Sequence, residues 1–185
     1  MGAYTKIPEN TFRALQLDAG VLLTTFDPTT PTITDASIIT ATTGGVQISA
    51  TPTYSDLGED VDNCPTNTKE LKHLDSWEIT VSTTALGTSA DLIKLTLGAA
   101  TISNTKITPN RDLKQTDFAD LWWVGDKADG GFVAAKFINA LSTGGFSLQT
   151  SKNGKGQTSL TITCHPSINS QDIVPVEFYS VNATP

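Results

Sequence analysis

The sequence is short of the residues that a DNA binder, a membrane protein or a disulfide-stabilised domain requires. It has 12 lysines and arginines against 19 acids, a formal net charge of −7. DNA binding depends on lysines and arginines that replace the counterions of the phosphates, so this charge argues against ordinary DNA binding. The same charge argues against an anionic membrane surface, and no segment approaches the ~20 apolar residues of a membrane span. Two cysteines, Cys64 and Cys164, make no disulfide framework.

Enzymatic signatures are missing as well. There is no G-x-S-x-G elbow and no P-loop, since the nearest approach, residues 154–157, is better explained as a hairpin turn. A zinc site would have to draw on the cysteines and histidines of the chain: Cys64, His73, Cys164 and His165. The two cysteines stand too far apart for the usual zinc-ligand spacing. We therefore expect no catalytic residue, no cofactor and no metal.

What the chain does contain is typical of a mainly β protein. Apolar residues make up only 38% of it, and much of the remainder is Thr, Ser, Asn and Gly, which suits short strands with one wet face. Alternating apolar and polar residues predict strands around Val46–Ile48, Trp77–Val81 and Leu160–Ile162. One helix is expected over residues 88–98, with Thr88 as N-cap and Gly98 at its end. A length of 185 residues fits a single domain.

Two stretches lack a regular period. Residues 1–35 are arm-like, with a short strand at Leu15–Leu23 interrupted at residues 18–20, and a proline-containing loop over Phe26–Asp35. Residues 51–75 hold six acids against two lysines, and we interpret them as a long acidic loop. Structureless loops of that length are usually functional or disordered. Its acids do not fit the calcium-loop pattern, so solvated charge is the simpler explanation.

A short internal similarity links two glycine pairs. Gly44-Gly45 and Gly144-Gly145 each precede an alternating segment, VQIS and FSLQ respectively. Two equivalent strand entries in two half-domains would explain the match. Chance is an equal alternative, because glycine is the default turn residue.

Three stretches, 41–83, 107–138 and 139–180, carry a resemblance to a known family. They include TTGGVQISATPTYSD, DLWWVGDKADGGF and STGGFSLQTSKNGKG, in this order. Together they resemble the major tail protein, or tail tube protein, of bacteriophages with long, non-contractile tails. The likeness covers roughly two thirds of the chain and comes from the collinear set, since no single motif is diagnostic.

The resemblance implies a β-sandwich of the phage tail-tube and type VI secretion tube type, with one flanking α-helix and long loop arms. It implies a non-enzymatic virion protein, made in the host cytoplasm, whose hexameric rings stack into the tube for genome delivery. The implied partners are further copies of the chain, the tape measure, tail terminator and baseplate or distal tail proteins. Double-stranded DNA would pass without specific binding, and no membrane binding is implied.

In that family the long loop reaches a neighbouring subunit or ring, which points to the acidic loop here. The candidate contact residues are Asp56, Glu59, Asp60, Asp62, Leu71 and Leu74. For the strands that face the lumen, the candidates are Gly44, Gly45, Gln47, Gly144, Gly145 and Gln149. A net-acidic chain fits a lumen that repels phosphates.

The main alternative is an all-β adhesion or carbohydrate-binding module. Thr-rich strands occur there too, and the pair Trp122-Trp123 invites a stacking interpretation. With a period of two residues, however, one indole would face the core and the other the opposite face. Self-assembly separates the two functions, because an adhesion module should stay monomeric on concentration.

Overall fold

The computed structural model describes residues 7–8 and 11–183, and that part of the chain is mainly β with one α-helix. The remaining residues of the predicted N-terminal arm, 1–6, 9 and 10, lie outside the described residues. The strands are β1 Gln16–Leu23, β2 Ala41–Asp56, β3 Lys72–Leu86, β4 Ala100–Ser103, β5 Lys106–Pro109, β6 Ala119–Lys127, β7 Phe132–Ser142, β8 Ser147–Gln149, β9 Gln157–Cys164 and β10 Val176–Val181. The helix α1 spans Ala90–Leu97, and short 3-10 turns lie at Asp35–Ser37, Lys69–Leu71 and Gln115–Asp117.

Eight strands form one antiparallel sheet in the order β1-β6-β7-β9-β3-β2, with β10 added to β7 and β8 added to β9. The sheet folds over on itself at β7. The first half of β7 pairs with β10, whereas only Ala140–Ser142 pair with β9. This produces a β-sandwich whose layers are β1-β6-β7-β10 and β2-β3-β9-β8, as the sequence predicts. None of the helices in the described chain is long and apolar enough to span a membrane.

The main core fills the space between the two layers. Leu22, Trp123 and Phe137 come from one layer and meet side chains of the other. The residues that face them are Ile79, Val81, Leu160 and Ile162. The alternation expected in β9 and at Ile79 and Val81 of β3 is therefore confirmed, because these apolar positions are buried and the residues between them lie on the outer face. Trp77, predicted on the same face of β3, is 37% exposed instead.

A second apolar cluster covers the outer face of the β1-β6-β7-β10 layer. Trp122, Val124 and Ala134 are buried there, and Phe26 of the β1–β2 connection lies edge-on to Trp122 at 5.6 Å. The two tryptophans therefore point to opposite faces, as predicted, and each is only 8% exposed.

The break expected in β1 is a bulge. The pairing of β1 with β6 shifts register between Leu17 and Val21, where Asp18 and Gly20 have positive φ. A Cβ on Gly20 would lie 2.6 Å from the indole nitrogen of Trp123, so only glycine fits this position.

Helix α1 begins one residue later than the sequence predicts. Ser89, not Thr88, is the N-cap, and its hydroxyl accepts the Leu92 amide. Gly98 closes the helix with a φ of 73°, as expected. The helix covers an open side of the sandwich, where the Ser142 hydroxyl donates to the Thr96 carbonyl at 2.9 Å.

Two local features differ in kind from a simple strand-and-loop pattern. Ile102 and Ile107 face each other in a small β4–β5 hairpin after the helix. Gly44 and Gly45 form a bulge within β2, whereas Gly144 and Gly145 lie in the β7–β8 connection. The two glycine pairs are thus not equivalent strand entries, since the same residue type serves two different backbone needs.

Candidate assembly surfaces

One face of the β2-β3-β9-β8 layer points away from the core and carries uncharged polar side chains up to the row of Thr51 and Glu78, where the first charged residue follows. Residues directly opposite each other on antiparallel strands share a face, so the pairing defines its rows. One row is Gln47, Ser82 and Thr161. We call this surface the polar face: Gln47, Ser49, Thr80, Ser82, Thr84, Ser159, Thr161 and Thr163.

The polar face offers hydroxyl and amide groups but no charge. Beside it, the hydroxyls of Thr143 and Thr163 lie 2.8 Å apart, and those of Ser49 and Thr51 lie 3.2 Å apart. Such side chains hold water and give a phosphate backbone no ion pair to bind.

The predicted lumen residues lie on or beside this surface. Gln47 belongs to the polar face. Gln149 of β8 pairs with Gln157 of β9 and lies on the same side of the layer as Ser147 and Ser159. Gly45 accepts the Thr83 hydroxyl at 2.8 Å, and a Cβ on Gly144 would lie 2.9 Å from Thr161. The structure brings the six residues to one layer; that they face a lumen stays a prediction.

In the part of the chain that the structure describes, the β2 edge of this layer is open along its whole length, whereas on the other side part of β9 is paired with β7 and only the three-residue β8 is an open edge. Within the described chain, the whole of β2 pairs with β3 on one side, and no strand pairs with its other side. At the opposite edge, β8 pairs only with β9 among the described residues. Open edges present backbone donors and acceptors to another chain, and natural proteins protect or pair them.

The long acidic loop is shorter than predicted. β2 continues to Asp56 and β3 begins at Lys72, so the irregular part is only residues 57–71. The flanking residues, 51–56 and 72–78, form a two-stranded ribbon. Its sequence shows no simple alternation because side chains on both sides of the ribbon lie in solvent.

The ribbon is exposed far more than a strand pair within a sandwich. Every residue from Lys72 to Glu78 is exposed, as are Tyr54 on the opposing segment and Leu57 at the start of the tip loop, at 54% and 62%. A two-stranded hairpin is marginal by itself in water, and exposed apolar side chains on a surface mark contact sites. The ribbon and its tip loop thus form the second candidate assembly surface.

The predicted contact residues are divided between the ribbon and its tip. Leu74 lies in β3 opposite Tyr54, and Asp56 ends β2. Glu59, Asp60 and Asp62 are exposed in the tip loop, where they leave a strongly acidic surface. Leu71 is half-buried and its side chain would meet a Cβ on Gly58 at 2.8 Å, so it supports the loop from within.

Asp56 organises the tip loop. Its carboxylate accepts the backbone N–H of Gly58 at 3.0 Å and of Asn67 at 2.8 Å. These hydrogen bonds, with a smaller contribution from Lys72, hold the pKa of the Asp56 carboxyl below its ordinary value of 3.8. Asp56, predicted as a contact residue, thus has a structural role in the tip loop.

Tyr54 and Leu57 are exposed apolar residues that the sequence interpretation did not single out. Tyr54 continues the apolar alternation of Ile48, Ala50 and Pro52, with a register shift between Thr53 and Tyr54, whereas Leu57 lies outside that alternation. We assigned the segment to a loop, so the alternation ended too early in that interpretation.

The residues considered for metal or sugar binding are dispersed or covered. Cys164 is buried in the core, whereas Cys64 lies in the tip loop and His73 in the ribbon. Among the residues that the structure describes, no group of three His, Cys, Asp or Glu side chains is placed to hold a metal ion. Trp122 and Trp123, 8% exposed, offer no stacking platform to a sugar.

Comparisons with known proteins give no family assignment. No family model matches the chain, and no curated protein matches it. Among solved structures, one similar chain comes from the tail of an empty gene transfer agent (GTA) particle with C6 symmetry, with 11% identity and a TM-score of 0.43, over 80% of this chain and 92% of that chain. Another comes from the virion of a native GTA particle, with 11% identity, a TM-score of 0.42 and the same coverage. Values this low carry no conclusion about this chain.

Proposed function

We propose that this chain is a tail tube protein of a phage with a long, non-contractile tail. Copies would join into hexameric rings, and the rings would stack into the tube for genome delivery. The observation that carries the proposal is the combination of an uncharged polar face with open edges on both sides of the same layer.

Edge-to-edge joining follows from that combination. If β2 of one copy pairs with the β8 side of the next, the polar face continues from copy to copy, and a closed ring covers the open edges of β2 and β8 in every copy. Each copy then makes one head-to-tail contact that repeats around the ring. A continuous polar face on the inside gives a channel wall with hydroxyl and amide groups and a net-acidic protein behind it.

The ribbon supplies a contact between rings. It extends the β2–β3 pair past the core and carries exposed apolar side chains on strands and an acidic tip. Burying Tyr54 and Leu57 against another subunit would remove apolar surface that the isolated chain leaves in water.

The proposal includes a location and partners. The chain would reside in the virion after synthesis in the host cytoplasm, and would meet the tape measure inside the tube and the terminator and baseplate proteins at its ends. It would act without catalysis, cofactor or specific DNA binding. These statements rest on the family resemblance of the sequence.

The test is negative-stain electron microscopy of the purified protein over a range of concentrations, with its mass in solution measured alongside. Hollow tubes or six-fold rings are the expected result. A strict monomer at every concentration would contradict the proposal and favour a binding module.

A further inference from the structure

At the base of the ribbon lies a groove of about 320 Å³ between β3 and the segment that leads into β10. Its apolar lining is Leu74, Trp77, Pro166, Ile173, Val174 and Pro175. Four of these side chains are large and remain exposed, from 36% for Val174 to 57% for Ile173. Contiguous exposed apolar surface of this kind marks an interaction site.

The groove also has a charge preference. Asp75 and Asp172 belong to its lining, and no lysine, arginine or histidine is among the residues that line it. An apolar side chain followed or preceded by a cation would satisfy both features, because the cation can pair with the rim acids while the apolar group enters the groove. The larger cleft beside α1, about 600 Å³, is less selective, since Lys94 lies there with Asp91 and Asp117.

The chain itself carries a segment with that chemistry. Phe12 and Leu15 are 62% and 44% exposed, and Arg13 lies between them. Arg13 is one of only two arginines in the sequence, the other being Arg111. Arginine is a better partner for carboxylates than lysine, because its planar guanidinium presents several N–H donors in a fixed arrangement.

Geometry excludes the groove of the same copy. Leu15 is fixed where its carbonyl accepts the Ala128 amide, at one end of the β1-β6-β7-β10 layer, and the groove lies beyond Val176 at the other end. The ends are ~17 Å apart along the strands, and β1 and β10 are ~14 Å apart across them. Phe12, three residues from Leu15, reaches only ~10 Å.

We propose that residues 12–15 of one copy dock in the ribbon-base groove of a second copy. Phe12 would enter between Trp77 and Ile173, and Arg13 would pair with Asp172. Because donor and groove lie at opposite ends of one layer, the contact is head-to-tail and repeats from copy to copy. This inference rests on the proposed function, since it names a contact by which copies that assemble would interlock.

The first test compares Arg13→Glu with its matched control Arg111→Glu, which makes the same charge change elsewhere. The readout is the concentration of half-assembly, from sedimentation velocity. We expect Arg13→Glu to raise it at least about tenfold, Arg111→Glu to change it less than about twofold, and the double variant Arg13→Glu/Asp172→Lys to recover assembly. Circular dichroism confirms that each variant is folded.

The second test places a photoreactive benzoylphenylalanine at position 12 and mixes labelled with isotopically distinct copies. A cross-link to residues 166–175 of the other copy is the expected product. If the Arg13→Glu and Arg111→Glu variants form tubes at the same concentration, or if the cross-links fall elsewhere, this inference alone is overturned. Wild-type protein that never assembles would overturn the proposed function and the inference together.

Discussion

The indole Nε1 of Trp123 donates a hydrogen bond to the carbonyl oxygen of Ala19 across 3.0 Å. This contact ties the bulge in β1 to the core side of β6, because Ala19 lies within the register shift between Leu17 and Val21. The first strand is therefore held to the sandwich by backbone pairing with β6 and by the hydrogen bond from Trp123 to the bulge.

Replacing Trp123 by Phe should destabilise the fold more than the same change at Trp122. Both side chains are 8% exposed, so both variants lose a similar apolar volume, but only Trp123 has a hydrogen bond to a described backbone carbonyl. We expect an extra cost of about 1 kcal/mol in the free energy of unfolding. Urea titration followed by circular dichroism measures it, and equal midpoints for the two variants would show that the hydrogen bond contributes nothing.

Regular strands within the sandwich were predictable because their signal is local. Ile79 and Val81 alternate with polar residues since one face of β3 meets the core. In such a strand the neighbours in sequence report which side is buried.

The ribbon was not predictable in the same way. Its strands are exposed on both sides, so no burial pattern distinguishes them from a loop, and their pairing is fixed by the strand beyond the turn. The glycine pairs fail for a related reason: a bulge and a connection both require glycine, and the residue type does not separate them. The predicted contact and lumen residues stay predictions.

Thiol chemistry should distinguish the two cysteines. Burial, with a smaller contribution from the Asp120 carboxylate, raises the pKa of the Cys164 thiol to about 12, so the reactive thiolate is scarce at pH 8. Cys64 is only half-buried. Ellman's reagent should therefore titrate one thiol in the folded protein and two after denaturation. The Cys64→Ser variant should show none when folded, and a fast-reacting thiol in that variant would contradict the buried position of Cys164.

The tip loop should loosen in acid. A carboxyl whose pKa is lowered on folding stabilises the folded form above its ordinary pKa of 3.8, and that contribution disappears as the pH falls through the lower folded value. The amide resonances of Gly58 and Asn67 should therefore titrate together with a midpoint below 3.8. In Asp56→Asn this step should vanish, whereas a midpoint at or above 3.8 in the wild type would argue against the two hydrogen bonds.

Lysines placed on the polar face should convert a non-binding wall into a DNA-retaining one. Gln47→Lys and Gln149→Lys add cations to the same side of the layer, and repetition around a ring would multiply them. Short duplex DNA should be retained by tubes of the double variant at low salt and released as salt rises. The control is Gln115→Lys, an exposed position in a 3-10 turn outside the polar face. Equal retention by control and double-variant tubes would remove the assignment of this face to the lumen.

Truncating the exposed apolar side chains of the ribbon should impair assembly without harming the fold. Tyr54 and Leu57 are 54% and 62% exposed, so the double variant Tyr54→Ser/Leu57→Ser should keep the thermal midpoint of the free subunit almost unchanged. If the ribbon is buried between rings, the concentration of half-assembly should rise about 10- to 100-fold, since two apolar contacts are lost. Leu113→Ser is the matched control, because Leu113 is 53% exposed in the β5–β6 connection. Assembly of the double variant at the concentration of the control would mean that the ribbon stays in solvent, and stacking would then have to depend on other surfaces.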